Sequence, residues 1–139
     1  MGTERPTSSD PQYTATVTTT DGHVRADDGA LDLAVAAPTE LGGQGGATNA
    51  EQLLAAALGA CFRQALAIAA SSAGVDVSGA EVSVSVEVAP EANGPGWRST
   101  ARLTVRGIPN ADGVVGSAVA MCPFTKVFEA AGQLEVASG

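Results

Sequence analysis

The segment from Thr48 to Gly74, TNAEQLLAAALGACFRQALAIAASSAG, constrains the fold more than any other, because an apolar pattern at helical spacing runs between two recognisable ends. Thr48 followed three residues later by Glu51 has the form of a capping box, with Asn49 as a rival N-cap. Gly74 follows Ala73 where a helix C-terminus favours glycine. The pattern predicts one helix of about 24 residues, roughly 36 Å long at ~1.5 Å per residue. Leu54, Leu58, Cys61, Ala65 and Ile68 share a stripe, which directs Cys61 toward packed protein rather than bulk water. Most other faces carry small residues, so the helix is expected in a central, nearly surrounded position. Arg63 and Gln64 interrupt the apolar run and argue against a bilayer span.

The flanking sequence alternates where the helix does not. Residues 1–12, MGTERPTSSDPQ, are polar, carry two prolines and lack periodicity, and are read as a disordered leader before a single domain over 13–139. Tyr13–Thr20 is rich in β-branched residues and ends at Asp21-Gly22, a two-residue hairpin signal, with His23–Ala26 as the returning strand. Asp27-Asp28-Gly29 is a further turn and Leu31–Val35 a third strand. The Gly-rich stretch Pro38–Asn49 lacks the lysine and spacing of a phosphate-binding loop and reads as a flexible connector where backbone approaches backbone. Val82–Val88 and Thr100–Val105 alternate as a second hairpin. After Pro109, Asp112–Met121 suits a short helix, Pro123 starts another helical turn through Val127 and Ala130, and Leu134–Val136 suits a last strand. The order predicts an α+β fold of antiparallel sheets, one long central helix and a pair of short helices.

Composition excludes several function classes. A formal net charge of −8 opposes nucleic acid and anionic membranes as partners. No charged start leads into an apolar signal segment, so the cytoplasm is the expected compartment. Three Phe, one Tyr and one Trp are a thin supply of large side chains, which leaves room for part of the core to be intermolecular. His23 is the only histidine; neither a Ser-His-Asp triad nor a zinc set is visible, and no metal or cofactor is expected. Trp97, after a Gly-Pro-Gly loop, either lines an entrance or packs at a sheet edge, and no site role is assigned to it.

Two cysteines in a reducing compartment are too few for a disulfide scaffold, so Cys61 and Cys122 are either inert core residues or a redox couple. Their context is specific. Leu41-Gly42-Gly43-Gln44-Gly45-Gly46-Ala47-Thr48-Asn49-Ala50-Glu51-Gln52-Leu53, followed by Ala60-Cys61-Phe62, resembles the signature of the organic hydroperoxide resistance (Ohr) branch of the OsmC/Ohr family. Met121-Cys122-Pro123-Phe124 resembles its second cysteine motif. With Tyr13 to Leu33 included, the resemblance covers nearly all of the chain beyond the leader.

That resemblance implies an intertwined homodimer acting as an organic hydroperoxide reductase. Cys61 would be peroxidatic, Cys122 would resolve its sulfenic acid as a Cys61–Cys122 disulfide, Glu51 would be the acidic partner, and a dihydrolipoyl-type dithiol would restore both thiols. Sulfenic acid forms from thiolate, and an unperturbed thiol of pKa ~8.5 is only a few per cent ionised at neutral pH, so Cys61 needs a nearby cation or donor. A second thiol close by would intercept sulfenic acid before irreversible oxidation. Glu51 and Cys61, ten residues apart, lie ~15 Å apart along one helix axis. Glu51 therefore either only caps its own helix or reaches the site from the partner subunit.

The sequence departs from the family at the first hairpin, where a Gly-Gly-Arg insertion is usual and Thr20 here runs straight into Asp21-Gly22. The expected thiolate-steadying arginine is missing there. Arg25 is the first candidate to replace it, with Arg98, Arg102, Arg106 and Lys126 behind; Arg63 points away from Cys61. Leu54, Leu58, Phe62 and Phe124 are expected to form an apolar mouth that favours alkyl hydroperoxides. The alternative is a non-peroxidatic thiol redox sensor, or a binder of small apolar ligands on the same fold.

Overall fold

In the computed structural model, residues 10–108 and 112–138 are described. Residues 1–9 of the expected leader, and Pro109, lie outside them. The chain divides between Asn49 and Ala50 into two compact units.

The first unit is an antiparallel meander of β1 (Val17–Thr20), β2 (His23–Ala26) and β3 (Asp32–Ala34). Thr20 pairs with His23 across the Asp21-Gly22 turn, as the hairpin signal requires. Strand β1 begins at Val17 rather than Tyr13, because the short β2 offers it partners only from Ala26 back to His23. At the next turn the Ala30 N–H donates to Asp28 Oδ1 at 2.9 Å, the local bond that suits Asp to such corners. The Gly-rich stretch contains one 3-10 turn, Thr39–Leu41. There the Gly43 N–H donates to Pro38 O, and a Cβ at Gly43 would stand 2.1 Å from Ala37 O. Close backbone approach, not phosphate binding, accounts for that glycine. Val24 is the one hydrophobic side chain buried in this unit among the described residues.

The second unit comprises α1 (Ala50–Ala73), β4 (Glu81–Pro90), β5 (Trp97–Arg106), α2 (Asp112–Met121), α3 (Pro123–Ala130) and β6 (Leu134–Ser138). Helix α1 has the expected 24 residues and starts one position after Asn49. Its C-terminus closes with Gly74 at φ +70°, the Val75 N–H on Ala70 O and the Gly74 N–H on Ser71 O, a Schellman pair of bonds that satisfies two end carbonyls.

The buried face of α1 is Leu58, Phe62, Ala65, Leu66, Ala69 and Ala70, which keeps i, i+4, i+7, i+8 spacing. It is rotated from the expected stripe: Leu54 is 38% exposed and Ile68 57%. The physical reason is bulk. Where many positions are Ala or another small residue, orientation follows the largest cluster of big side chains, and Leu58, Phe62 and Leu66 each gain about 1.5–3 kcal/mol by full burial. One apolar side of α1 is thus left open rather than surrounded. By length and a mean hydropathy of 1.7 the helix is long and apolar enough to cross a membrane, so Arg63 and Gln64 do not break the run as the sequence suggests. Its opposite face is instead part of a protein core.

That core is completed by the sheet. β4 and β5 pair antiparallel from Glu81 with Arg106 to Pro90 with Trp97, a longer hairpin than the alternation alone predicts. Ala101, Leu103 and Val105 point into the core opposite Val86, Val84 and Val82. Gly59 of α1 lies over Val84, where an added Cβ would meet Cγ2 at 3.4 Å. The final strand corrects the expectation of purely antiparallel pairing: β6 runs parallel to β5, Ala101 beside Leu134 through Val105 beside Ser138. The α2–α3 pair is the crossover connection that parallel neighbours need.

Candidate active site

Cys122 occupies the junction between two helices. The residue before a proline is pushed to extended backbone, and Cys122 has φ −73° and ψ 121° with Pro123 at the first turn of α3. Its N–H donates to Ala118 O at 2.9 Å, ending α2, and its carbonyl accepts from the Lys126 N–H at 3.2 Å, starting α3. The side chain is wholly buried. Cys61 sits mid-way along α1, beside the core and partly open to solvent. The two sulfurs are 3.4 Å apart, within hydrogen-bond distance for sulfur, so the site is a hydrogen-bonded pair of thiols. Both cysteines are free.

The two thiols are electrostatically unequal. Burial pushes the Cys61 thiol up, and its bond to Cys122 and the charge Cys122 carries push it further; only the Phe124 N–H works the other way. Burial opposes charge on Cys122 too, yet the Thr125 N–H, the Cys61 thiol and the Phe124 N–H outweigh it and draw the Cys122 thiol down. The Thr125 hydroxyl contributes less than its proximity suggests, because its single proton is committed to Val119 O at 2.7 Å. Of the two, Cys122 is therefore the sulfur that ionises more readily, favoured by donors at the start of α3, and Cys61 the one that holds its proton longer.

Glu51 is half-buried in the first turn of α1 and, ten residues before Cys61, is not brought to the sulfurs by its own helix. Among the described residues no hydrogen bond or ion pair holds its carboxylate. Among the described residues the cations are engaged elsewhere or exposed. The Arg63 guanidinium donates to Val77 O at 2.8 Å, which ties α1 to the loop before β4. Arg102 pairs with Glu135 at 3.2 Å on the surface, and Arg98, Arg106 and Lys126 are exposed. Arg25, on β2, reaches over the turn at Gly29. His23 Nε2 lies 2.6 Å from Asp32 Oδ1 across β2 and β3, and Trp97 is exposed at the start of β5.

The expected apolar mouth is corrected in part. Leu58 and Phe62 are fully buried in the core and cannot line an opening, whereas Leu54 and Phe124 are exposed, together with Ile68, Met121 and Val127. Thr125 and the Phe124 N–H were not singled out in the sequence. The available signal was the Cys-Pro-x-Thr run, in which a proline removes a donor and a hydroxyl follows two residues later. Among the described residues no group of three or more His, Cys, Asp or Glu is gathered to hold a metal.

Residues 43–137 match the profile of OsmC-like protein. The chain is 37% identical over 121 residues to an organic hydroperoxide resistance protein of Xanthomonas axonopodis pv. citri, covering 81% of this chain and 84% of that one. It is 33% identical over 127 residues to the organic hydroperoxide resistance protein OhrA of Bacillus subtilis, covering 85% and 89%. Among solved structures, a Vibrio cholerae protein assigned to organic hydroperoxide resistance, with captopril bound in one of its active sites, superposes with a TM-score of 0.82 at 30% identity over 96% of each chain. The organic hydroperoxide resistance protein OhrB of Bacillus subtilis gives a TM-score of 0.72 at 28% identity, covering 92% of this chain and 98% of that one.

Proposed function

The chain belongs to the OsmC-like protein family, and from that premise we propose that it is a thiol-dependent peroxidase that reduces organic hydroperoxides through Cys61 and Cys122. The observation that carries the reading is the dithiol itself: two free sulfurs 3.4 Å apart, one partly open and the other buried. Exposure favours Cys61 as the residue that meets substrate. Charge favours Cys122 as the nucleophile that follows.

The chemistry runs in two steps. In the singly ionised pair the remaining proton passes from Cys61 to Cys122, and the Cys61 thiolate attacks the terminal oxygen of the hydroperoxide. The O–O bond breaks, the alkoxide takes up a proton and leaves as alcohol, and Cys61 becomes a sulfenic acid. Cys122, returned to thiolate by its donors, then attacks the Cys61 sulfur and expels hydroxide, which leaves as water after protonation. The product is the Cys61–Cys122 disulfide. A dihydrolipoyl-type dithiol supplies the two electrons and two protons that restore the pair.

Glu51 enters this scheme from a second copy of the chain. The open apolar side of α1 and α3, with Leu54, Ile68, Phe124 and Val127 exposed, supports an intertwined homodimer, as does a first unit whose described residues bury a single hydrophobic side chain. The upward shift of the Cys61 thiol calls for a cation from the same source, to favour thiolate there when substrate binds. Cytoplasmic residence fits a pair that must be kept reducible.

One observation favours a second reading. A Cys61 thiol pushed up with no cation among the groups acting on it suits a slow redox sensor better than a fast enzyme. The full burial of Leu58 and Phe62 gives no support to an apolar ligand binder. Turnover with tert-butyl hydroperoxide and dihydrolipoamide separates the readings. Cys61→Ser abolishes it, and Cys122→Ser permits one oxidation and then stalls; equal full activity of both variants refutes the scheme.

A further inference from the structure

Thr125 is the one polar side chain fully buried among the described residues, and its hydroxyl lies 2.7 Å from Val119 O and 3.0 Å from Cys122 O. The reason for its burial is written in the covalent chemistry four residues after Val119. In a continuing helix the Val119 carbonyl would accept from the N–H of residue 123, but that residue is Pro123, which has none. The neighbouring carbonyls are served by backbone: Ala118 O by the Cys122 N–H, and Cys122 O by the Lys126 N–H. Val119 O alone among these three has lost its donor to the proline, and it is 9% exposed at most by its residue, too enclosed for ready rescue by water.

We propose that Thr125 is a positioning residue for the proposed reaction: its hydroxyl replaces the hydrogen bond that Pro123 removes and so locks the α2–α3 junction with the Cys122 sulfur aimed at Cys61. The hydroxyl sits across the junction: it donates to Val119 O in the last turn of α2 and stands 3.0 Å from the carbonyl oxygen of Cys122. The groups that meet the Cys122 sulfur, the Cys61 thiol and the Phe124 and Thr125 N–H, can aim it only if the start of α3 is itself held in place. The rotamer and height of Cys122 follow from the backbone on either side, and resolution requires its sulfur to arrive in line with the Cys61 sulfenic acid. A junction free to rock would leave the oxidation of Cys61 untouched and slow the second step, because misplacement by about an ångström is enough to slow a positioned reaction severely.

The inference rests on the two-cysteine peroxidase reading, and the experiment separates the two. Wild type, Thr125→Val and Thr125→Ser, each verified as folded by circular dichroism, are mixed with one equivalent of tert-butyl hydroperoxide. Sulfenic acid at Cys61 is trapped with dimedone and the disulfide is counted by mass after rapid alkylation. Thr125→Val is expected to form sulfenic acid at the wild-type rate but to close the disulfide about tenfold more slowly or worse, the loss of one buried hydrogen bond. Under excess peroxide it accumulates sulfinic acid. Thr125→Ser, which keeps the hydroxyl, restores the wild-type closing rate. A merely structural role would lower both steps together.

Closing within twofold of wild type in Thr125→Val, or equally slow closing in Thr125→Ser, overturns the role of Thr125 alone. If Thr125→Val does not fold, Thr125→Ala removes the same bond without adding a methyl group and is held to the same outcomes. If wild type consumes hydroperoxide without ever forming the Cys61–Cys122 disulfide, the peroxidase reading itself falls, and the role of Thr125 with it.

Discussion

Oxidation of this chain by an organic hydroperoxide should raise its melting temperature. Closing a bond between Cys61 and Cys122 ties off a loop defined by a sequence separation of 61 residues. In the chain-entropy account of cross-links, such a loop removes ~14 cal/mol/K from the unfolded ensemble, which is about 4 kcal/mol at 25 °C. The sulfurs already stand at hydrogen-bond distance, so little folded-state rearrangement offsets that gain. For a chain of this length each kcal/mol is worth about 3 °C, and the expected rise is roughly 10–15 °C. The assay is calorimetric or dye-monitored melting at one fixed protein concentration, before and after one equivalent of tert-butyl hydroperoxide, with free thiols counted in parallel. A dithiol should reverse the shift. A change under ~3 °C accompanied by loss of both thiols would refute the reasoning, as would the same rise in Cys122→Ser, because neither outcome is compatible with a closed loop.

Two further outcomes follow from the geometry. Ultraviolet thiolate absorbance of the reduced wild type should titrate in two steps, the first below the ordinary thiol range and belonging mainly to Cys122, the second above it and belonging mainly to Cys61. In Cys122→Ser the Cys61 step should move down, since the neighbouring thiol's bond and charge both raise it. No downward movement would show that burial alone sets it. Arg63→Met should destabilise the fold by about 1.5–3 kcal/mol in urea titrations, by removing the charged donor on Val77 O, while leaving the rate of Cys61 oxidation within twofold. A large loss of oxidation rate with intact stability would instead make Arg63 the missing cation.

Much of this was legible in the residues themselves. Asp21-Gly22 fixed the first hairpin, the limits of α1 followed from Asn49 before it and Gly74 after it, and Pro123 divided α2 from α3. The face of α1 was harder, because small residues occupy much of the helix and its bulky ones, Leu53, Leu54, Leu58, Phe62, Leu66 and Ile68, fall on more than one side. The parallel direction of β6 depends on how far two short helices carry the chain, which local pattern does not encode.

The site divides in the same way. That Cys61 and Cys122 form a pair was readable from their motifs, and the structure brings their sulfurs together. Which thiol is drawn down was not readable, since it depends on backbone N–H groups of Phe124 and Thr125 aimed by tertiary structure. A sequence shows side-chain charges and hides backbone donors. For that reason the sequence points to arginines as activators of the pair, while the donors that act on it lie in the turn that follows Cys122.

The central claim is that Cys61 is a thiol evolved to meet organic hydroperoxides, and single-turnover kinetics test it most directly. The second-order rate of Cys61 oxidation in Cys122→Ser is measured with tert-butyl hydroperoxide and with hydrogen peroxide, at neutral pH. The account predicts a saturable, markedly faster reaction with the organic substrate, ending in one sulfenic acid per chain at Cys61. Equal and slow rates for both oxidants, at the level of a free cysteine, would contradict it and leave the dithiol as a sensor.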